Sequence, residues 1–214
     1  SFLKENFVKN SFLMNIFIID TEYISLSKKK SSYLEIDKYK GLRFPEIFQF
    51  SMIQIEESDS LKIMKKYSFY VKTINSIPSR LLRLCNLDAY KLNKGIKFNS
   101  LIEKLRLVIK NNSLIICNGE DLRILILNMN YNNSIRLNKK VYFLNLRKLS
   151  MEKFKLDLET ENLKKFINIK KKFNFHDSSD DCEAIYLYLK FIKRKLKIKN
   201  FLAKIFKKVE KYQL

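Results

Sequence analysis

The chain contains one histidine, three cysteines, three glycines, two prolines and no tryptophan among its 214 residues. A single histidine excludes any metal site built from several imidazoles. Cys85, Cys117 and Cys182 are widely spaced and form no C-x-x-C pair, so a zinc ribbon or a dithiol redox motif has no support. Such an odd, sparse set suits a reducing compartment, with the thiols as small core residues. An intracellular location, cytoplasm or nucleus, is therefore expected, with an organelle left open. No apolar run approaches the ~18 residues of a spanning helix. The stretch from Phe12 to Ile19 imitates the apolar part of a signal peptide, but it runs into Asp20-Thr21-Glu22 with no small-residue cleavage site. A buried strand explains it better. The first residue is Ser rather than Met, so a trimmed start stays open.

Acidic residues are also scarce. There are 22 Asp and Glu against 43 Lys and Arg, a net charge of +21. That balance favours a polyanionic partner, nucleic acid first and an anionic membrane second. Part of it reflects a composition rich in Lys, Asn and Ile and poor in Gly, Pro and Ala, as an AT-rich genome produces. Hydrophobic residues make up 46% of the chain, enough for one folded domain with a real core.

Periodicity predicts the elements. Met14–Ile19 reads as a fully buried strand, and Ser25–Lys40 as a polar loop. Ile47–Ile55 and Tyr67–Val71 read as two further strands, which with the first suggest an antiparallel meander. A helix from Ser79 to Cys85 follows Pro78. Phe98–Ile109 has helical spacing, Leu114–Cys117 is a short buried strand, and Asp121–Met129 is a helix. Val141–Leu146 is a strand, Leu163–Ile169 a helix, and Ser178 to about Lys195 a helix opened by Ser and Asp. Strands first, then alternating helices and strands, predict an α/β domain with a mixed sheet. The expected limits are a lead-in over 1–13, a domain over 14–193 and a basic helical tail over 194–214.

Acidic residues follow three of these apolar runs. Asp20 and Glu22, i and i+2 at the end of the first strand, point to one face. Asp121 opens a helix after a strand. Asp181 lies in the first turn of a late helix, five residues after His176. Clustered carboxylates repel one another and are costly without cations. Magnesium or manganese, held by carboxylates in pairs ~3.5–4 Å apart, matches such a set and supports phosphodiester chemistry. His176 suits a general base. Each piece alone has a plainer reading: D-x-E is common by chance, Asp121 and Asp181 serve equally as helix N-terminal acids, and His176 as a surface loop residue.

Taken together, these residues resemble the DEDDh branch of the DnaQ-like 3′→5′ exonucleases, which have a ribonuclease-H-like fold: a mixed β-sheet flanked by helices. The first motif is Ile18-Ile19-Asp20-Thr21-Glu22, the second ends in Asp121, and the third runs from His176 to Asp181. Phe44-Pro45-Glu46-Ile47-Phe48-Gln49-Phe50-Ser51, and Tyr70-Val71-Lys72 before Ile77-Pro78, are similar to the KapD-like and RNA 3′-end-trimming subgroup. The resemblance implies two ions, Mg2+ or Mn2+. Asp20 would bridge them, Glu22 and Asp181 would hold the nucleophile-side ion, Asp121 would act on the second, and His176 would be the base. Thr21 and Tyr23 would lie against the substrate, Tyr23 stacking on the terminal base or blocking its pocket. Three positions depart from the pattern: Glu120 before Asp121, Tyr23 after the D-x-E, and Ser178 for the usual Ala.

The implied activity is a metal-dependent 3′→5′ exonuclease on single-stranded nucleic acid, RNA more than DNA, releasing nucleoside 5′-monophosphates. The alternatives are a non-catalytic nucleic-acid-binding or assembly subunit with this fold, and a DNA proofreading or repair exonuclease. Beyond Lys190 a lysine-rich stretch keeps a helical apolar stripe. It reads as packing on its own domain, as a track for phosphates, or as a surface for a membrane or protein partner.

Overall fold

The apolar run before Asp20 becomes a strand buried on both faces, and the rest of the chain is arranged around it. The computed structural model describes residues 15–24, 45–56, 61–87, 89–132, 134, 136–155, 157–158, 163, 174, 176–196 and 210–214. In order these form β1 (Ile16–Ile24), β2 (Glu46–Ile55), β3 (Ile63–Tyr70), α1 (Ser79–Leu84), α2 (Ala89–Asn93) and α3 (Phe98–Val108). There follow β4 (Ser113–Cys117), α4 (Asp121–Tyr131), β5 (Lys140–Asn145), α5 (Leu146–Phe154), α6 (Ser178–Leu196) and β6 (Glu210–Gln213). The six strands make one sheet in the order β3-β2-β1-β4-β5-β6. β1, β2 and β3 pair antiparallel, β1, β4 and β5 pair parallel, and β6 pairs antiparallel with β5. The expected mixed sheet and its opening meander are thus both present.

Helices cover both faces, which is why the central strands are apolar without alternation. Ile16 and Ile18 of β1 face α5 and α6, in a core with Ile53, Leu114, Ile116, Ile185, Tyr188 and Leu189. Phe17 and Ile19 face α3 and α4, in a core with Ile115, Leu101, Leu105, Leu122 and Leu125. A smaller cluster of Ile24, Phe48, Cys85 and Leu87 lies under α1 and α2. No helix of the described residues is long and apolar enough to cross a membrane.

Some expectations change. β3 begins at Ile63, four residues before the predicted strand, because an outer strand accommodates exposed Lys65 and Lys66 that break the apolar pattern. The helix α5 was not foreseen. It starts directly after β5, where Asn145 accepts a hydrogen bond from Lys148 N and caps it. The 194–214 segment is not one helical tail. α6 runs through to Leu196, and Glu210–Gln213 is a strand; its Tyr212 and the following Leu214 pack on the core beside Val141 and Phe143. Leu214 N and Lys139 N each donate to the other's carbonyl, closing that edge pair. The 1–13 lead-in, the 25–40 loop and residues 197–209 lie outside the described residues, as does all of the predicted Leu163–Ile169 helix except Leu163.

Asn128 joins the start of β2 to α4. Its Oδ1 accepts from Ile47 N at 3.2 Å, and its Nδ2 donates to Pro45 O at 2.6 Å and Ile124 O at 2.9 Å. Asn128→Leu orphans the Ile47 N–H and the Pro45 carbonyl, and each buried orphan costs about 1–3 kcal/mol. Urea unfolding of this variant is expected to show a lower midpoint with an unchanged slope; an unmoved midpoint would contradict this role.

Candidate metal centre

β1 and β4 run parallel, so their carboxyl ends share one edge of the sheet. Asp20 and Glu22 lie at that edge on the face of Ile16 and Ile18, the face covered by α6. A register shift between Glu22 and Tyr23 bends the strand there, as bulges beside sites commonly do. α6 brings Asp181 over the same edge. Carboxylate oxygens of Asp20, Glu22 and Asp181 all lie within 4.8 Å of one another.

Asp121 reaches the edge from the other face. Thr21, between the two acids of β1, points that way and donates twice to Asp121 Oδ1, from its backbone N at 3.0 Å and its Oγ1 at 2.8 Å. The alternation of the strand therefore spaces Asp121 from the three carboxylates by one residue. His176 adopts a left-handed backbone with φ of 70°, and its N–H donates to Asp181 Oδ2 at 3.1 Å. That conformation costs a non-glycine residue about 1–3 kcal/mol and tends to occur at functional sites.

Burial is the largest influence on all four acids, and it raises each pKa. Asp20 lies well above the usual carboxylate range, pushed further by Asp121, Asp181 and Glu22. Glu22 rises to about 8, through burial and then through Asp181 and Asp121. Asp181 rises to about 7 despite the His176 N–H that favours its anion. Asp121 rises to about 6, its shift from burial opposed by the Thr21 hydrogen bonds.

The donor set fits divalent cations. Among the described residues, no lysine or arginine forms an ion pair with any of these four acids, in a chain that carries 43 basic residues. All-oxygen carboxylate donors suit Mg2+ or Mn2+. Asp20, Glu22 and Asp181 are the group that could hold such an ion, with Asp121 beside it.

Thr21 and Tyr23 are the two residues expected against the substrate. Thr21 spends both its donors on Asp121. Tyr23 packs its ring against the core of Phe17 and Ile19, on the face away from Asp20 and Glu22. Other neighbours were not foreseen as partners of the acids. Cys85, at the end of α1, places its thiol 3.9 Å from Glu22 Oε2, and burial followed by Glu22 pushes it up to about 12. Gln49, Ser51 and Ser178 are buried beside the acids. Nothing in local spacing marks these residues, because each acts through a partner distant in sequence.

No family model matches the sequence, and no curated protein matches it. Solved structures do match its fold. The nuclease domain of 3′hExo, a DEDDh family member bound to rAMP, superposes with a TM-score of 0.65 at 17% identity, covering 88% of this chain and 94% of that one. The RNase domain of yeast Pop2 gives 0.61 at 17% identity, covering 90% and 81%. Exonuclease X in complex with 5′ overhanging duplex DNA gives 0.58 at 14% identity, covering 89% and 98%. The chain has the ribonuclease-H-like fold of these nucleases.

A carboxyl group whose folded pKa exceeds its unfolded value binds more protons when folded. Its contribution is therefore lost as pH rises from about 4 to the folded pKa. With Glu22 near 8 and Asp181 near 7, metal-free protein should melt at progressively lower temperature between about pH 5 and about pH 8. Millimolar Mn2+ should flatten that slope. Calorimetry in chelator and in Mn2+ checks this; parallel curves would contradict a shared metal centre.

Proposed function

We propose that the chain is a divalent-metal-dependent 3′→5′ exonuclease that removes nucleoside 5′-monophosphates from single-stranded nucleic acid, RNA in preference to DNA. One observation carries the reading: Asp20, Glu22 and Asp181 converge within 4.8 Å, with no lysine or arginine paired to them among the described residues, in a fold shared with the 3′hExo nuclease domain.

Bound divalent ions would neutralise and polarise the scissile phosphate. Asp20, Glu22 and Asp181 would hold them, and Asp121 would complete the set from the side that Thr21 fixes. His176, on the loop leading into α6, accepts the proton of the attacking water. Water attacks phosphorus, the bond to the 3′ oxygen of the penultimate nucleotide breaks, that oxygen takes a proton from solvent to become the new 3′ hydroxyl, and the terminal nucleotide departs with its 5′ phosphate. The Asp181–His176 backbone hydrogen bond couples the base to the ligand group.

The charge of +21 supports a polyanionic substrate. The preference for RNA is supported by the rAMP-bound 3′hExo domain and the Pop2 RNase domain, while Exonuclease X is described with DNA. The segment Phe44–Ser51, similar to the RNA 3′-end-trimming subgroup, leans the same way. The three buried, unpaired cysteines agree with action in a reducing compartment.

The test uses 5′-labelled RNA and DNA oligonucleotides of one sequence with Mg2+ or Mn2+. Wild type is expected to give a metal-dependent ladder shortening from the 3′ end, faster on RNA. Asp20→Ala should give none. His176→Ala should lower kcat by about 10²–10⁴-fold while leaving metal affinity near wild type. Tight binding without shortening under either metal would overturn the catalytic reading and leave a binding subunit; a faster DNA ladder would overturn the sugar preference.

A further inference from the structure

Most of the interface between α6 and the sheet is apolar, but its end nearest the carboxylates is not. Gln49 and Ser51 on β2 and Ser178 at the start of α6 are each 1% exposed or less. In the sheet, Ser51 is the cross-strand neighbour of Asp20, and Gln49 that of Glu22. Ser178 opens the helix three residues before Asp181. The Oγ atoms of Ser51 and Ser178 are 2.7 Å apart, and Gln49 Oε1 accepts from Ser178 N at 3.4 Å. Ser51 Oγ donates to Ser68 Oγ on β3 at 3.1 Å. A hydroxyl has one proton, so Ser178 is the donor to Ser51, and a single directed chain runs from helix to β2 to β3. One turn along α6, the Cys182 thiol reaches Ser51 O at 3.4 Å and Ile18 O at 3.7 Å.

Apolar packing is non-directional and would let the first turn of α6 slide. Buried hydrogen bonds fix direction and distance, and buried polar groups need a reason to be there. Here the reason is a force. When ionised, three carboxylates within 4.8 Å repel one another, and Asp181 is the one carried on a separate helix. Repulsion therefore pushes that helix end away from β1, and the bonds to Gln49 and Ser51 oppose the displacement.

We infer that Gln49, Ser51 and Ser178 are positioning residues that hold Asp181 in register with Asp20 and Glu22, so that the cation site is formed before the cation arrives. This rests on the metal centre proposed above. Residues that orient metal ligands typically change metal affinity by about 10–100-fold when replaced.

The test is direct Mn2+ binding by electron paramagnetic resonance on the full chain, without substrate. Ser178→Ala and Gln49→Leu are each expected to weaken Mn2+ binding by roughly 10-fold. In the exonuclease assay, kcat at saturating Mn2+ should stay within about twofold of wild type, since no reacting group is lost. Tyr188→Phe removes a buried hydrogen bond to Ser150 further along α6 and serves as the stability control. It should lower the melting temperature without moving Mn2+ affinity. The inference is overturned if Ser178→Ala and Gln49→Leu melt lower yet bind Mn2+ like wild type, or if Tyr188→Phe weakens binding equally. Asp20→Ala separates the two readings. If it too binds Mn2+ like wild type, the metal centre itself is wrong. If it loses binding while the positioning variants keep it, only the present inference fails.

Discussion

Mutual repulsion among Asp20, Glu22 and Asp181 is the constraint to which the rest of the structure answers. Their oxygens lie within 4.8 Å of one another at the end of a strand, with no lysine or arginine paired to them among the described residues. At that separation two unit charges near a protein surface interact by about 3–4 kcal/mol. The fold tolerates this because the apolar body of the domain is anchored elsewhere. Ile16 to Ile19 lock β1 between two helical layers, and Ile185 to Ile192 lock α6 onto the sheet. The acids sit where that packing ends.

Charge and function divide the molecule in the same way. A chain of net charge +21 attracts a polyanion from a distance. Four gathered carboxylates at the end of that path would repel a phosphate. Under the proposed function, divalent ions on the acids would resolve the contradiction, turning a repulsive cluster into one that accepts phosphate oxygen. The pKa directions say the same: without ions, protons partly take their place on Asp20, Glu22 and Asp181.

The sequence shows the site more readily than its supports. Asp20 and Glu22 are legible because a strand has period two and an apolar run announces it. Asp121 and Asp181 are legible because helices favour acids in the first turn. The bond from Thr21 to Asp121 spans 100 residues and leaves no local trace. The same holds for Ser51 and Ser178, 127 residues apart, where each serine alone reads as an ordinary polar position. β6 escaped notice because Glu-Lys-Tyr-Gln is polar, and it becomes a strand through pairing with β5. The front half of β3 was lost among lysines for a related reason: an outer strand needs no apolar alternation.

The account stands most directly on where ions bind. Crystals grown with Mn2+ and a nucleoside 5′-monophosphate should show anomalous density at two positions flanking Asp20, with Glu22 and Asp181 on one and Asp121 near the other. Density elsewhere, or a lysine Nζ drawn in to neutralise an ion-free cluster, would contradict it.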